Sequence, residues 1–253
     1  MSVIHTSFQW ALHRLLASVP EKAMDEQFPD WLYDVLYAPV TTYSVDAALD
    51  YKLWLQDRQD KIRVTDYGAG SRKMGEDRSV ADIARYASSD IRELAFLARM
   101  AYLRRPKRIL ELGTSLGVSA IALAGAVPDA EMVSVEGCPQ TYTYAKQHAT
   151  KYPTYGLHMV NADFDSFLAQ DNGQWDMIYI DGNHQQKASL DLVDTSLNQL
   201  NKGGIILLDD IHWSRGMSKA WRQIKKEPGL LTVDLFRMGL IIPGYEGHLR
   251  CRL

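Results

Sequence analysis

Residues 111–119 read Glu111-Leu112-Gly113-Thr114-Ser115-Leu116-Gly117-Val118-Ser119. The run closes a short apolar stretch, 108–112, that predicts a β-strand, and opens an apolar stretch, 118–126, that predicts a helix. Gly113 and Gly117 permit a tight turn and let a ligand approach the backbone closely. The helix that follows offers amide donors with no partner of their own. The glycine spacing is not G-x-G-x-x-G, so the run fits a nicotinamide-dinucleotide fingerprint poorly.

Working outward, strand and helix patterns alternate. Strands are predicted at 131–136, 156–161, 175–181 and 205–209, and helices at 140–150, 185–200 and 214–226. Asn201-Lys202-Gly203-Gly204 reads as a stop and turn. Residues 231–236 and 240–243 predict two strands joined as a hairpin. Upstream, 82–103 predicts one long amphipathic helix ended by Pro106. Alternation of this kind predicts an α/β fold, a mostly parallel sheet with helices on both faces. The closing hairpin adds an antiparallel strand near an edge.

Residues 1–78 lack the alternation. Helices are predicted over 7–18 and 47–57, and Pro20, Pro29 and Pro39 break the region into short pieces. The expectation is a mainly helical N-terminal extension over 1–78 and an α/β domain over 79–253. The glycine-rich run 66–71 reads either as a lid rich in backbone donors or as an exposed turn.

The composition narrows the partners. Of 253 residues, 46% are hydrophobic and 23% charged, which argues against disorder. The net charge of −3 shows no basic surplus for phosphates, so a small molecule is expected rather than nucleic acid. Cys138 and Cys251 form no metal-ligand spacing and fit a reducing compartment. With no signal-peptide pattern and no membrane span, the cytoplasm is the default expectation. A homo-oligomer is left open.

Ligands of open α/β sheets bind beyond the carboxyl ends of the strands, and those positions are polar here. Glu136 follows the second strand, 25 positions after Glu111, near the spacing of a ribose-binding acid. Asp163 follows the third, as an acceptor for an adenine amino group or as the cap of the next turn. Asp181 and His184 follow the fourth, and Asp209, Asp210 and His212 the fifth. Three carboxylates and two histidines suit general-base chemistry or a hard cation. Tyr37, Tyr43, Tyr67, Trp213 and Trp221 are candidate pocket walls, though aromatic residues are more often core.

Taken in order, these motifs resemble the class I S-adenosylmethionine-dependent methyltransferases, and within them the small-molecule O-methyltransferase group that includes the catechol O-methyltransferases. The resemblance covers about residues 80–243 and rests on 111–124, 133–137, 177–184 and 200–213. It implies a Rossmann-like, seven-stranded sheet with an antiparallel last strand. It implies S-adenosyl-L-methionine as cofactor, with Glu111, Gly113, Thr114, Ser115, Gly117 and Ser119 around its methionine part. It further implies Glu136 on the ribose, Asp163 near the adenine and Asp181 beside the cofactor. The family's metal-dependent members bind a divalent cation such as Mg2+ at the positions of Asp181, Asp209 and Asp210. Where those members carry a lysine, this chain has His184. The expected chemistry is methyl transfer to an oxygen of a small molecule, with His184 or His212 as base and Asp181 in support. The alternatives are a catalytically silent binding protein on the same fold, and a protein or nucleic-acid methyltransferase. The usual Asn/Asp-Pro-Pro-Tyr/Phe motif of amino-methylating nucleic-acid enzymes is replaced here by Asp181-Gly182-Asn183-His184.

Overall fold

The computed structural model describes residue 10 and residues 28–37, 45–65 and 77–251. The helix expected over 7–18, the glycine-rich run 66–71, Tyr43 and Tyr67 fall outside the described residues, save Trp10. The chain divides into two compact units: Pro39–Asn172, and Gly173–Leu253 together with the chain up to Ala38.

In the first unit, helix α2 (Val45–Gln56) precedes a two-stranded antiparallel ribbon of β1 (Lys61–Arg63) and β2 (Asp77–Ser79). Helix α1 (Trp31–Tyr37) belongs to the other unit. The long helix expected over 82–103 is two helices, α3 (Val80–Tyr86) and α4 (Ile91–Arg104). The break has a local cause. Asp90 caps α4 by accepting from the Arg92 and Glu93 amides at 2.8 and 3.1 Å, and Glu93 accepts from the Asp90 amide at 2.6 Å. This reciprocal capping box satisfies donors that a continuous helix would leave to its own carbonyls. The carbonyls of Ser88 and Ser89, at the break, accept from Lys52 Nζ of α2 at 3.1 and 2.6 Å.

Strand β3 (Arg108–Leu112), helix α5 (Val118–Ala126) and strand β4 (Glu131–Glu136) fall where the pattern predicts them. Helix α6 (Pro139–Ala149), strand β5 (Leu157–Asn161) and helix α7 (Phe164–Gln170) complete the unit. β4 pairs in parallel with both β3 and β5. Helix α5 is buried over nearly its whole length, which its apolar, alanine-rich sequence allows.

The second unit holds β6 (Trp175–Ile180), α8 (Gln186–Asn198), β7 (Leu200–Leu208), α9 (Arg215–Ile224), β8 (Leu230–Asp234), β9 (Gly239–Pro243) and β10 (Gly247–Arg250). Its strand order is β10-β8-β9-β7-β6. β6 and β7 are parallel, and β9 runs antiparallel to both β7 and β8. The hairpin's antiparallel strand, β9, lies near the edge as expected, third in the order after β10 and β8. Residues 201–204 are not a turn before the strand. Trp175 pairs with Leu200 and Met177 with Ile205, so the four residues are an irregularity inside β7. Gly203, at φ 80°, takes the left-handed conformation this requires. An eighth strand of the main sheet pattern, β10, lies parallel to β8 and exceeds the seven that the resemblance implies. Its four residues, Gly247–Arg250, are too short and too polar for a strand pattern to show.

Candidate functional site

The turn between β3 and α5 carries three left-handed residues, Gly113 (φ 115°), Ser115 (φ 47°) and Gly117 (φ 88°). At Gly117 a Cβ atom would also sit 3.0 Å from the Ala149 Cβ, so both space and dihedral demand glycine. The turn is pinned by its neighbours. The amides of Gly113 and Thr114 donate to the Val135 carbonyl at 2.9 and 3.2 Å. The Ser115 amide donates to Glu136 Oε2 at 2.8 Å. The Cys138 amide donates to Glu136 Oε1 at 2.8 Å. Two backbone donors thus hold the Glu136 carboxylate.

Beneath the turn, Glu111 is fully buried. Burial pushes its carboxyl up to about 7, and the nearby Glu136 adds to this, while the Ser119 and Ser134 hydroxyls pull it down. Ser134 Oγ donates to Glu111 Oε2. Glu111 Oε1 has no hydrogen-bond partner among the described residues. At the start of α5 no side chain caps the helix. An acidic acceptor lacking a donor, beside an uncapped helix N-terminus, suits a ligand that carries both an ammonium and a carboxylate. The methionine end of S-adenosylmethionine has both, so these residues fit that group.

Asp163 is exposed and caps α7, accepting from the Ser166 amide at 2.8 Å. That bond holds its carboxyl below the usual range. The structure therefore shows the capping role of the two weighed for this residue.

In the other unit, Asp181, His184 and Asp210 come together. His184 Nε2 lies 3.8 Å from Asp181 Oδ1 and 4.0 Å from Asp210 Oδ2. Its Nδ1 is buried with no hydrogen-bond partner among the described residues. Asn183, at φ 49°, makes the bend that brings His184 back toward Asp181. Asp210, itself left-handed at φ 53°, accepts from Arg237 Nη2 at 3.3 Å.

Asp209 and His212 point elsewhere. Asp209 is buried and accepts from the Tyr179 hydroxyl at 3.3 Å. His212 is buried, its Nε2 3.1 Å from Asp234 Oδ2 and its Nδ1 3.3 Å from Ser218 Oγ. Both ring nitrogens are engaged, so His212 stands in an internal network rather than beside His184. Asp234, with no exposed surface, also accepts from Trp221 Nε1 at 3.1 Å and from the Phe236 amide at 3.0 Å. Trp221 is core, lying so close to Gly239 that a Cβ there would meet its ring at 2.5 Å. Among the described residues no three His, Cys, Asp or Glu side chains are placed to hold a metal ion. The expected ligand set of Asp181, Asp209 and Asp210 is not gathered into one. Asp210 faces Arg237 and His184 instead, and Asp209 faces a tyrosine.

Sequence reasoning missed Asp234, Arg237 and Tyr51. Asp234 ends an apolar strand and Arg237 sits in a hairpin turn, and neither belongs to a local motif. The Tyr51 hydroxyl donates to the Leu116 carbonyl at 2.9 Å, across 65 positions of chain.

Comparison with known proteins agrees with this geometry. The model of a family described as a methyltransferase domain matches residues 110–211. The release factor glutamine methyltransferase of Escherichia coli (strain K12) is 30% identical over 164 residues, 62% of this chain and 58% of that protein. The O-methyltransferase ankF of Aspergillus thermomutatus is 31% identical over 111 residues, 42% of this chain and 46% of that protein. The chain thus spans less than two thirds of the length of these relatives. The SAH-bound methyltransferase PaMTH1 of Podospora anserina superposes with a TM-score of 0.62 at 21% identity, covering 80% of this chain and 88% of that one. The fold is the Rossmann-like fold of that SAH-bound structure, and residues 110–211 match the model of a methyltransferase domain. No helix among the described residues is long and apolar enough to cross a membrane.

Proposed function

We propose that this chain is an S-adenosylmethionine-dependent methyltransferase that transfers a methyl group to an oxygen of a small molecule, with His184 as general base. The observation that carries the reading is the placement of His184 Nε2 between the carboxylates of Asp181 and Asp210. The matched methyltransferase domain, the O-methyltransferase relative and the SAH-bound structural neighbour support it.

Bound S-adenosylmethionine would supply a methyl already activated on a sulfonium, so the chain's own work is binding, alignment and proton removal. The turn and the N-terminus of α5 receive the carboxylate of the methionine part, and Glu111 its ammonium. Glu136, held rigid by two amides, accepts from the ribose hydroxyls. His184 takes the proton of the substrate hydroxyl. Tyr179 engages Asp209 Oδ2 and Arg237 engages Asp210 Oδ1.

The release factor relative raises an amide nitrogen of a protein as acceptor. An imidazole base favours oxygen instead, since it can remove the proton of an acidic hydroxyl but not that of an amide. The test is His184→Ala with labelled S-adenosylmethionine and a panel of phenols, carboxylic acids and a glutamine-containing peptide. Turnover should fall about 100-fold or more, with S-adenosylhomocysteine affinity unchanged. Full turnover in the variant removes His184 as base, and labelling of the peptide alone replaces the small-molecule reading.

A further inference from the structure

The glycine turn is held from one direction by its own strand–helix unit and from another by the N-terminal helix α2. We infer that Tyr51 is a positioning residue for the cofactor turn, and that residues 45–65 are a strap belonging to the cofactor machinery rather than an appended extension. The inference rests on the reading of this turn as the wall of the cofactor site.

Tyr51 is completely buried, and its hydroxyl donates to the Leu116 carbonyl at 2.9 Å. Leu116 lies between Ser115 and Gly117, two of the three left-handed residues of the turn. A turn with so many costly dihedrals persists only when its surroundings over-determine it. The bonds to Val135, Thr114 and Glu136 all run within the turn or to the strands and helix that it joins, or their neighbours. The Tyr51 bond arrives from a distant segment, α2.

The ring is fixed as firmly as the hydroxyl. It stacks on Trp54 with centroids 5.9 Å apart and meets Tyr152 at 5.0 Å. Burial, with the nearby Tyr144 and Tyr152, raises its pKa, so the hydroxyl stays protonated and remains a donor.

The same segment reaches the other wall. The Arg63 amide donates to Gln140 Oε1 at 2.6 Å, and the Thr65 amide to Cys138 Sγ at 3.3 Å. The amide of Cys138 is one of the two donors that hold Glu136. Helix α2 and strand β1 therefore brace the turn through Tyr51, and the Glu136 carboxylate through Cys138.

The experiment is S-adenosylhomocysteine titration calorimetry on the full chain for wild type, Tyr51→Phe, Ile83→Ala and Glu136→Gln, with Tm measured for each. Tyr51→Phe keeps the ring and removes only the hydroxyl, and Kd should rise about five- to tenfold. Ile83, buried in helix α3, lies outside the strap, so Ile83→Ala should lower Tm while leaving Kd within about twofold. If Tyr51→Phe leaves Kd unchanged while Glu136→Gln weakens it, the Tyr51 inference is overturned and the site reading stands. If Ile83→Ala weakens binding as much as Tyr51→Phe does, the effect is general loosening and the inference is likewise overturned. No binding by wild type, or binding unchanged in Glu136→Gln, overturns the site reading itself. Should Tyr51→Phe fold poorly, amide hydrogen exchange at Ser115–Ser119 below its unfolding temperature replaces the titration. Exchange as slow as in wild type then counts against the inference.

Discussion

The glycine turn of the 39–172 unit and the acid–histidine cluster of the 173–253 unit are built by opposite means. In the turn, the functional groups are held by backbone donors at hydrogen-bond distance, as Glu136 is by the amides of Ser115 and Cys138. In the cluster, His184 Nε2 stands 3.8 and 4.0 Å from its two carboxylates, beyond hydrogen-bond reach. The first arrangement suits recognition of a fixed shape, because backbone geometry varies little. The second suits proton transfer, because a ring nitrogen not tied up in a hydrogen bond stays open to a substrate proton. A separate buried network joins Asp234, His212 and Trp221.

That difference can be attacked from both sides, the buried network giving the largest effect. Asp234→Ala leaves His212 and Trp221 Nε1 without their acceptor and should cost about 3–5 kcal/mol, read as a fall in the urea midpoint. A loss below about 1 kcal/mol would mean that the network contributes little to the stability of the fold.

Glu111 comes next and depends on pH. Its folded carboxyl titrates near 7, above the ordinary carboxylate value of 4.5. The folded form therefore keeps a proton that the unfolded chain releases, and the stability from this group is fully present below pH 4.5. It falls as pH rises toward 7 and stays low above that. The cost at pH 8 is on the order of 3 kcal/mol. Glu111→Gln should gain stability over wild type between pH 5 and pH 8 in the absence of cofactor, while binding S-adenosylhomocysteine more weakly. A stability difference independent of pH would show that the carboxyl titrates in its ordinary range.

The smallest effect separates the two roles weighed for Asp163. Serine also caps helices, so Asp163→Ser should keep Tm near the wild-type value. A rise of about two- to fivefold in the Kd for S-adenosylhomocysteine would add an adenine contact to the cap, and an unchanged Kd would leave the cap alone.

Legibility along the chain follows how local the causes are. β3, α5 and β4 could be read to the residue, because apolar runs and glycines at 113 and 117 act within a few positions. The break between α3 and α4 was also local, in Asp90 and Glu93, but the apolar periodicity running through it masked the capping box. Glu111, Glu136, Asp181 and His184 were legible because strand ends are where a parallel sheet presents its ligands. His212 was legible as a strand-end residue but not as a partner of Asp234, since nothing near position 212 announces an acid 22 positions on. Tyr51 reads in the sequence as one aromatic of an amphipathic helix.

The sequence by itself determined the α/β alternation, the glycine turn and the polar strand ends, because each is a response of the backbone to its nearest neighbours. Only the tertiary structure decided which polar residues face one another. It set His184 between two carboxylates, turned His212 inward to Asp234, gave Asp210 to Arg237, and brought Tyr51 to Leu116. Those pairings depend on where distant segments pack, and a buried polar group must take whatever partner the packing supplies.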